Sequence, residues 1–364
     1  LALLINNHGG AVIADDTSLG IEAVEQWRSV SDSYRSIHVK WTQTIPLEPG
    51  AEFGYNQRSF DDEGKPFPPE PLVLVTEHEF RSDDDGWMWK SEGMKWDNQV
   101  ERVVQERTIY LRRNDEFYIL HDLEEFSDDL HDRLGISPGE NGLNICSMPQ
   151  IVPIVLLQAP FEPQFGPLRP ERYTFFPEET SQVSDDMIEV EFRFETLVDR
   201  LSLSKKLGWL PVRMQGGPLH DLTISYDRTS DPSLLQSWSY HRKRDGSRPD
   251  DRFTSEVTFC RVNTPVGIAN YDLQIPNNCE IKDTRTGERE RSIHKTNESP
   301  RPITKAEELH DISFPDLANS QPDELVGVNR QSSSWSRVAT IAGFVFIAML
   351  LGWRAWRRPL DIHE

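Results

Sequence analysis

Ile188-Glu189-Val190-Glu191-Phe192-Arg193-Phe194-Glu195-Thr196 alternates apolar and charged residues without a break. A period of two puts Ile188, Val190, Phe192 and Phe194 on one face of a strand and the charges on the other. A strand with one wet and one apolar side belongs to an antiparallel sheet covered on one face. The segments after it repeat the pattern. Leu197–Leu203, Leu210–Met214, Leu222–Tyr226, Leu234–Tyr240 and Phe253–Cys260 are short and closely spaced. Turn residues such as Lys206-Leu207-Gly208 and Arg244-Asp245-Gly246 separate them, as in a meander.

The same alternation appears upstream. Ile37, Val39, Trp41 and Ile45 interleave with His38, Lys40, Thr42 and Thr44. Residues 46 to 71 read as a long loop, Leu72–Phe80 as a strand, and Asp83-Asp84-Asp85-Gly86 as the turn into Trp87-Met88-Trp89. Arg107–Leu111 and Glu116–Leu120 flank a hairpin turn at Arg112–Asp115. Eight to eleven strands with one polar face must curl around a filler. The filler is the amphipathic helix predicted over 19–35, where Ile21, Val24, Trp27, Val30 and Tyr34 recur every three or four residues behind a Ser18 cap. Residues 121–160 are predicted as a helical insertion. There Leu123, Phe126, Leu130 and Leu134 have helical spacing, and Pro153 argues against an unbroken helix over Ile151–Leu157. The fold class expected is α+β: a curved antiparallel sheet, an open barrel, packed on an N-terminal helix.

The order helix, Ile37–Ile45 strand (IHVKWTQTI), meander and helical insertion resembles the lipoprotein-carrier family of the bacterial periplasm. Gly208-Trp209-Leu210-Pro211-Val212-Arg213, Tyr271-Asp272-Leu273-Gln274-Ile275-Pro276 and Asp283-Thr284-Arg285-Thr286-Gly287 are similar to segments of exported proteins from planctomycete-type bacteria. The resemblance implies an unclosed barrel whose apolar face takes acyl chains. Trp41, Val190, Phe192 and Phe194 are then the ligand-lining candidates. The carriers are soluble shuttles, whereas this chain reads as anchored, which favours local binding or sensing over transport.

The anchor is Val338–Trp353, sixteen uncharged residues between Arg337 and Arg354. A helix of that length covers about 24 Å, and flanking Arg and Trp residues extend its reach toward a ~30 Å hydrocarbon core. A transmembrane helix is expected over 337–356, with 357–364 as a cytoplasmic tail because Arg357 and Arg358 add to Arg354 on that side. Residues 1–14 resemble the end of an export signal cleaved after Ala14. The domain over 15–283 is thus expected outside the cytoplasmic membrane. Residues 284–336, rich in Arg, Glu, Ser, Asn and Pro, are expected to be a disordered stalk.

The formal net charge of −21 argues against nucleic-acid binding. Three cysteines are too few for a disulfide scaffold, although Cys260 and Cys279 are close enough in sequence to pair in an oxidising compartment. Catalytic and metal motifs fail on inspection. Gly135-Ile136-Ser137-Pro138-Gly139 fits the nucleophile-elbow pattern, but Pro138 lacks the N–H needed after the serine, so it reads as a loop. Arg81–Glu92 imitates a calcium loop with a cation at its first position, and reads instead as a hairpin turn. His-Asp dipeptides at 121, 131, 220 and 310 are not dyads, because adjacent residues point apart. No cofactor is expected. The leading reading is a membrane-anchored binding module for a lipid, lipoprotein or other acylated ligand. A protein-interaction or sensor role with an unassigned protein partner is the alternative, and a hydrolase ranks last.

Overall fold

The computed structural model describes residues 10–49, 70–97, 102–123, 131–139, 148–158, 173–194, 197–216, 220–230, 233–244, 250–296, 298–309 and 314–319. The anchor at 337–356, the cytoplasmic tail and most of the export-signal segment lie outside them. Among the described residues no helix is long and apolar enough to cross a membrane.

One large, unclosed sheet dominates. Its strands are β1 (Ile37–Leu47), β2 (Leu72–Asp83), β3 (Gly86–Asp97), β4 (Arg102–Arg113), β5 (Glu116–Leu123), β6 (Arg133–Pro138), β7 (Tyr173–Ser184), β8 (Met187–Phe194), β9 (Leu197–Ser204), β10 (Leu210–Gly216), β11 (His220–Asp227), β12 (Leu234–Arg242), β13 (Asp251–Val262), β14 (Cys279–Asp283), β15 (Glu290–His294) and β16 (Arg301–Pro302). They lie in the order β16-β15-β14-β6-β5-β4-β3-β2-β1-β13-β12-β11-β10-β9-β8-β7. Two antiparallel meanders, β1–β6 and β7–β13, therefore join along β1 and β13. The β14–β6 pair is parallel, so the sheet is mixed. Among the described residues four α-helices accompany it: α1 (Gly10–Asp32), α2 (Val152–Gln158), α3 (Lys305–Leu309) and α4 (Phe314–Asn319).

The main core lies on the helix-side face. Ala23, Val24 and Trp27 of α1 and Ile154–Leu157 of α2 share it with Val39, Trp41, Phe80, Trp89, Val190, Leu201, Leu222 and Trp238. The Trp27 indole Nε1–H donates to the Leu156 carbonyl at 3.0 Å, which ties the two helices together. The helix predicted over 19–35 begins earlier, at Gly10, so Ser18 lies inside it and does not cap it.

The opposite face also carries a core, contrary to the expectation of one wet side. Met88, Ile109, Leu111, Leu120, Leu134 and Ile281 pack there under Ile268 and Leu273. The segment after β13 crosses back over β2 and β3, and Asp83 accepts the Ile268 backbone N–H at 3.2 Å. Because β3–β5 are covered on both faces, their alternation is weak, and Leu123 and Leu134 fit a helical spacing although they lie in strands; Phe126 and Leu130 lie outside the described residues. In the structure His121–Leu123 finish β5, and Arg133 and Leu134 begin β6. Pro153 is accommodated because it falls in the first turn of α2, where its missing N–H has no intrahelical partner to lose. Gly135–Pro138 are likewise in a strand and not in a loop.

The predicted stalk is ordered through its first part. β15 and β16 extend the sheet beyond β14, and Ile293, Ile303, Phe314, Leu317 and Ala318 form a third small core. Glu280, 1% exposed, accepts from Arg291 at 2.7 Å and sits 3.0 Å from His131. A charge-rich composition reads as solvated when its charges in fact pair across strands.

The hairpin turns match their sequence signals. Asp85 N–H donates to Asp83 Oδ1 at 3.0 Å between β2 and β3. Asn114 and Asp115 both take positive φ, 50° and 59°, as a two-residue turn of the primed type requires.

Candidate functional site

The helix-side face carries polar groups among its rings. On β1 the residues facing inward are Ile37, Val39, Trp41, Gln43, Ile45 and Leu47, all buried. Gln43 thus interrupts an apolar row. On β2 the same register brings His78 inward beside it, and His78 Nε2 lies 2.7 Å from Gln43 Oε1. The Trp41 ring stacks on His78 at 4.8 Å and 15°. From β3, Trp89 Nε1–H donates to His78 Nδ1 at 3.3 Å. Trp89 therefore requires an unprotonated Nδ1, and Nε2 carries the proton given to Gln43. Burial supports this by pushing the His78 pKa down to about 3, so the ring is neutral.

Ser255 on β13 pairs with Gln43, and Trp238 on β12 pairs with Ser255. Trp41 and Trp238 have ring centroids 5.3 Å apart. Among the described residues, four buried groups here have no hydrogen-bond partner: Trp41 Nε1, Gln43 Nε2, Trp238 Nε1 and Ser255 Oγ. Two indoles and an amide nitrogen are donors only, and a hydroxyl can donate. Leaving such a group buried and unpaired costs about 1–3 kcal/mol. Four on adjacent strands suit an acceptor-rich group, such as an ester or carboxyl, flanked by aromatic surface.

The face becomes wetter toward β5. Glu106 accepts from Thr108 at 2.7 Å and from Lys95 at 2.8 Å, and lies 2.9 Å from His121 Nδ1. Burial raises its pKa, but bonds to His121, Lys95 and Thr108 outweigh it and hold the carboxyl below the usual range.

No family model matches the chain, and no curated protein matches it either. A crystal structure of a porin-like protein from Bacteroides uniformis is similar at a TM-score of 0.22 and 6% identity, over 63% of this chain and 97% of that one. A likeness that slight carries no weight for fold or function.

The four lining candidates expected from the sequence distribute unevenly, so the site must be rebuilt around other residues. Trp41 and Val190 are 1% and 0% exposed in one core, but β1 and β8 are separated by five strands. Phe192 and Phe194 lie on β8, opposite Asp199 and Leu197, and their side chains lie outside the described residues. Cys260 and Cys279 do not pair: both are free, on β13 and β14, with seven sheet steps between those strands. The pieces missed, Gln43 and His78, were legible in principle. Each shares the phase of buried neighbours, Gln43 with Trp41 and Ile45, His78 with Leu74 and Phe80. The His220-Asp221 dipeptide splits as expected, with Asp221 binding Arg213 at 2.6 Å and His220 contacting Tyr240 at 2.8 Å.

Proposed function

We propose that this protein is a membrane-anchored, extracytoplasmic binding module whose curved sheet holds an acylated ligand, in the manner of the lipoprotein-carrier family it resembles. One observation carries the reading. Trp41, Gln43, Trp238 and Ser255 bring four unpartnered hydrogen-bonding groups together on a buried aromatic face. A ligand ester or carboxyl would satisfy them, and its chain would lie along the neighbouring apolar rows. Because α1 and α2 share that core, binding requires them to shift outward, and the Trp27–Leu156 bond is where they would move together.

The test is titration of the delipidated full chain with a fluorescent fatty acid. Saturable binding, weakened at least tenfold by Gln43→Leu with Trp238→Phe, is expected. Absence of saturable binding by the wild-type chain would overturn the reading and leave these residues as a core alone. No specific observation favours the sensor or hydrolase readings over this one.

A further inference from the structure

A second polar feature crosses the helix-side face near the ends of β9–β13. Asp251 pairs with Arg242, Arg242 with His220, His220 with Gly216, and Gly216 with Asp199. Five consecutive strands thus contribute one straight row. Directly beside it runs an apolar row of Phe253, Tyr240, Leu222, Met214 and Leu201, by the same registers. Arg242, His220 and Asp199 are half-buried, so the row is a rim and not a sealed core.

The chemistry along the row is ordered. Arg242 Nε is buried without a hydrogen-bond partner among the described residues. Asp251, across from Arg242 on β13, is engaged by Arg244 at 2.6 Å. His220 Nδ1 lies 2.8 Å from the Tyr240 hydroxyl. Burial pushes the Tyr240 pKa up to about 12, so the hydroxyl keeps its proton and can donate to Nδ1. His220 itself is lowered by burial and then by the charges of Arg242 and Arg244, so it is neutral and offers Nε2–H. Gly216 has no side chain, and Asp199 leans over it. A Cβ built there would lie 2.9 Å from Asp199 Oδ1 and 3.3 Å from the His220 Cβ. Burial pushes the Asp199 carboxyl up to about 6.

We propose that Arg242, His220 and Asp199 recognise a zwitterionic aminophosphate headgroup, with phosphate at Arg242 and His220 and ammonium at Asp199. This rests on the acylated-ligand reading above and names the headgroup end of that ligand. A simple anion would be repelled by Asp199, and a simple cation by Arg242, so the row selects a group that carries both charges in that order. The strands of His220 and Asp199 are two apart, about 10 Å between backbones. The inward lean of Asp199 shortens that gap and favours a two-carbon spacer, as in phosphoethanolamine. The phosphate end of the row adjoins Tyr240 and then Trp238 on β12, so the glycerol esters would run toward the unpartnered groups of Trp238 and Ser255.

The delipidated full chain in non-ionic detergent would be titrated with dihexanoyl phosphatidylethanolamine, dihexanoyl phosphatidylglycerol, free O-phosphoethanolamine and inorganic phosphate. A fluorescent fatty acid would serve as the control probe. The ethanolamine lipid is expected to bind at least tenfold tighter than the glycerol lipid. Asp199→Asn should reduce that preference to within about twofold, Arg242→Gln should weaken both lipids, and neither should change fatty-acid binding. Gly216→Ala, which displaces the Asp199 carboxyl, gives an independent variant with the same loss of preference. Binding of free O-phosphoethanolamine alone would support the row and assign it to a soluble aminophosphate. Equal binding of both lipids with fatty-acid binding intact would overturn the headgroup assignment. Failure of every amphiphile, fatty acid included, would overturn the acylated-ligand reading, and failure of free O-phosphoethanolamine as well would overturn this inference with it.

Discussion

Gln43 and His78 meet across β1 and β2 at 2.7 Å, both buried in the row that carries Trp41. A hydrogen-bonded amide–imidazole pair inside an apolar face fixes the register of the two strands, since a one-residue slip would turn one of them outward and break the pair. The pair also fixes the tautomer of His78, and through it the position of Trp89.

His78 sets a pH dependence. Its folded pKa near 3 lies below the unfolded value near 6.5. Between those values the unfolded chain binds the extra proton, so stability falls as pH drops from about 6.5 to about 3. The full loss is on the order of 5 kcal/mol. His78→Gln should flatten this slope in urea midpoints measured at pH 7.5, 5 and 4. An unchanged slope would contradict the buried neutral ring.

Glu280 contributes at lower pH. Burial raises its pKa, but the bonds to His131 and Arg291 and the charge of Lys282 bring it down to about 2. Its contribution is present above about pH 4.5 and disappears as pH falls toward 2. Glu280→Gln should cost about 3 kcal/mol at pH 7, because Arg291 loses its buried partner. A loss under about 0.5 kcal/mol by chemical denaturation would show that β14 and β15 do not depend on it.

Trp27 couples α1 to α2. Trp27→Phe removes the donor to Leu156 and should cost about 1 kcal/mol, whereas Trp27→Ala opens the core and should cost about 3–5 kcal/mol. Thermal unfolding of the two variants separates these contributions. Equal midpoints for both would mean that the hydrogen bond, and not the ring volume, dominates.

Cys260 and Cys279 should remain thiols. Burial pushes the Cys260 thiol up to about 11, and raises Cys279 further with help from Asp132 and other carboxylates. Alkylation of the folded chain at pH 7.5 should be at least tenfold slower than in denaturant. A Cys260–Cys279 cross-link in a non-reducing peptide map would contradict the strand order.

Most of the second meander was legible because its strands have one covered face. Ile188, Val190, Leu201, Leu222, Leu235 and Phe253 keep a clear phase. The first meander was less legible. Met88, Leu111, Leu120 and Leu134 are needed on the side opposite Trp87 and Phe117, so apolar residues fall on both phases. The third core was hidden for a different reason. Ile293, Ile303 and Phe314 are sparse among charges, and only pairing through Glu280, Arg291, Arg301 and Glu307 makes the segment fold. The binding face was half legible: its rings were visible as a type, but which polar groups lack partners follows only from three-dimensional register.

The most direct measurement is the pair of indole N–H resonances of Trp41 and Trp238 in a nitrogen-15 spectrum, assigned by Trp→Phe substitution, with and without excess myristate. Both are expected to move downfield on addition, as buried donors gain an acceptor, while Trp27, already bonded to Leu156, stays in place. Unmoved Trp41 and Trp238 resonances at saturating myristate would contradict a ligand on this face.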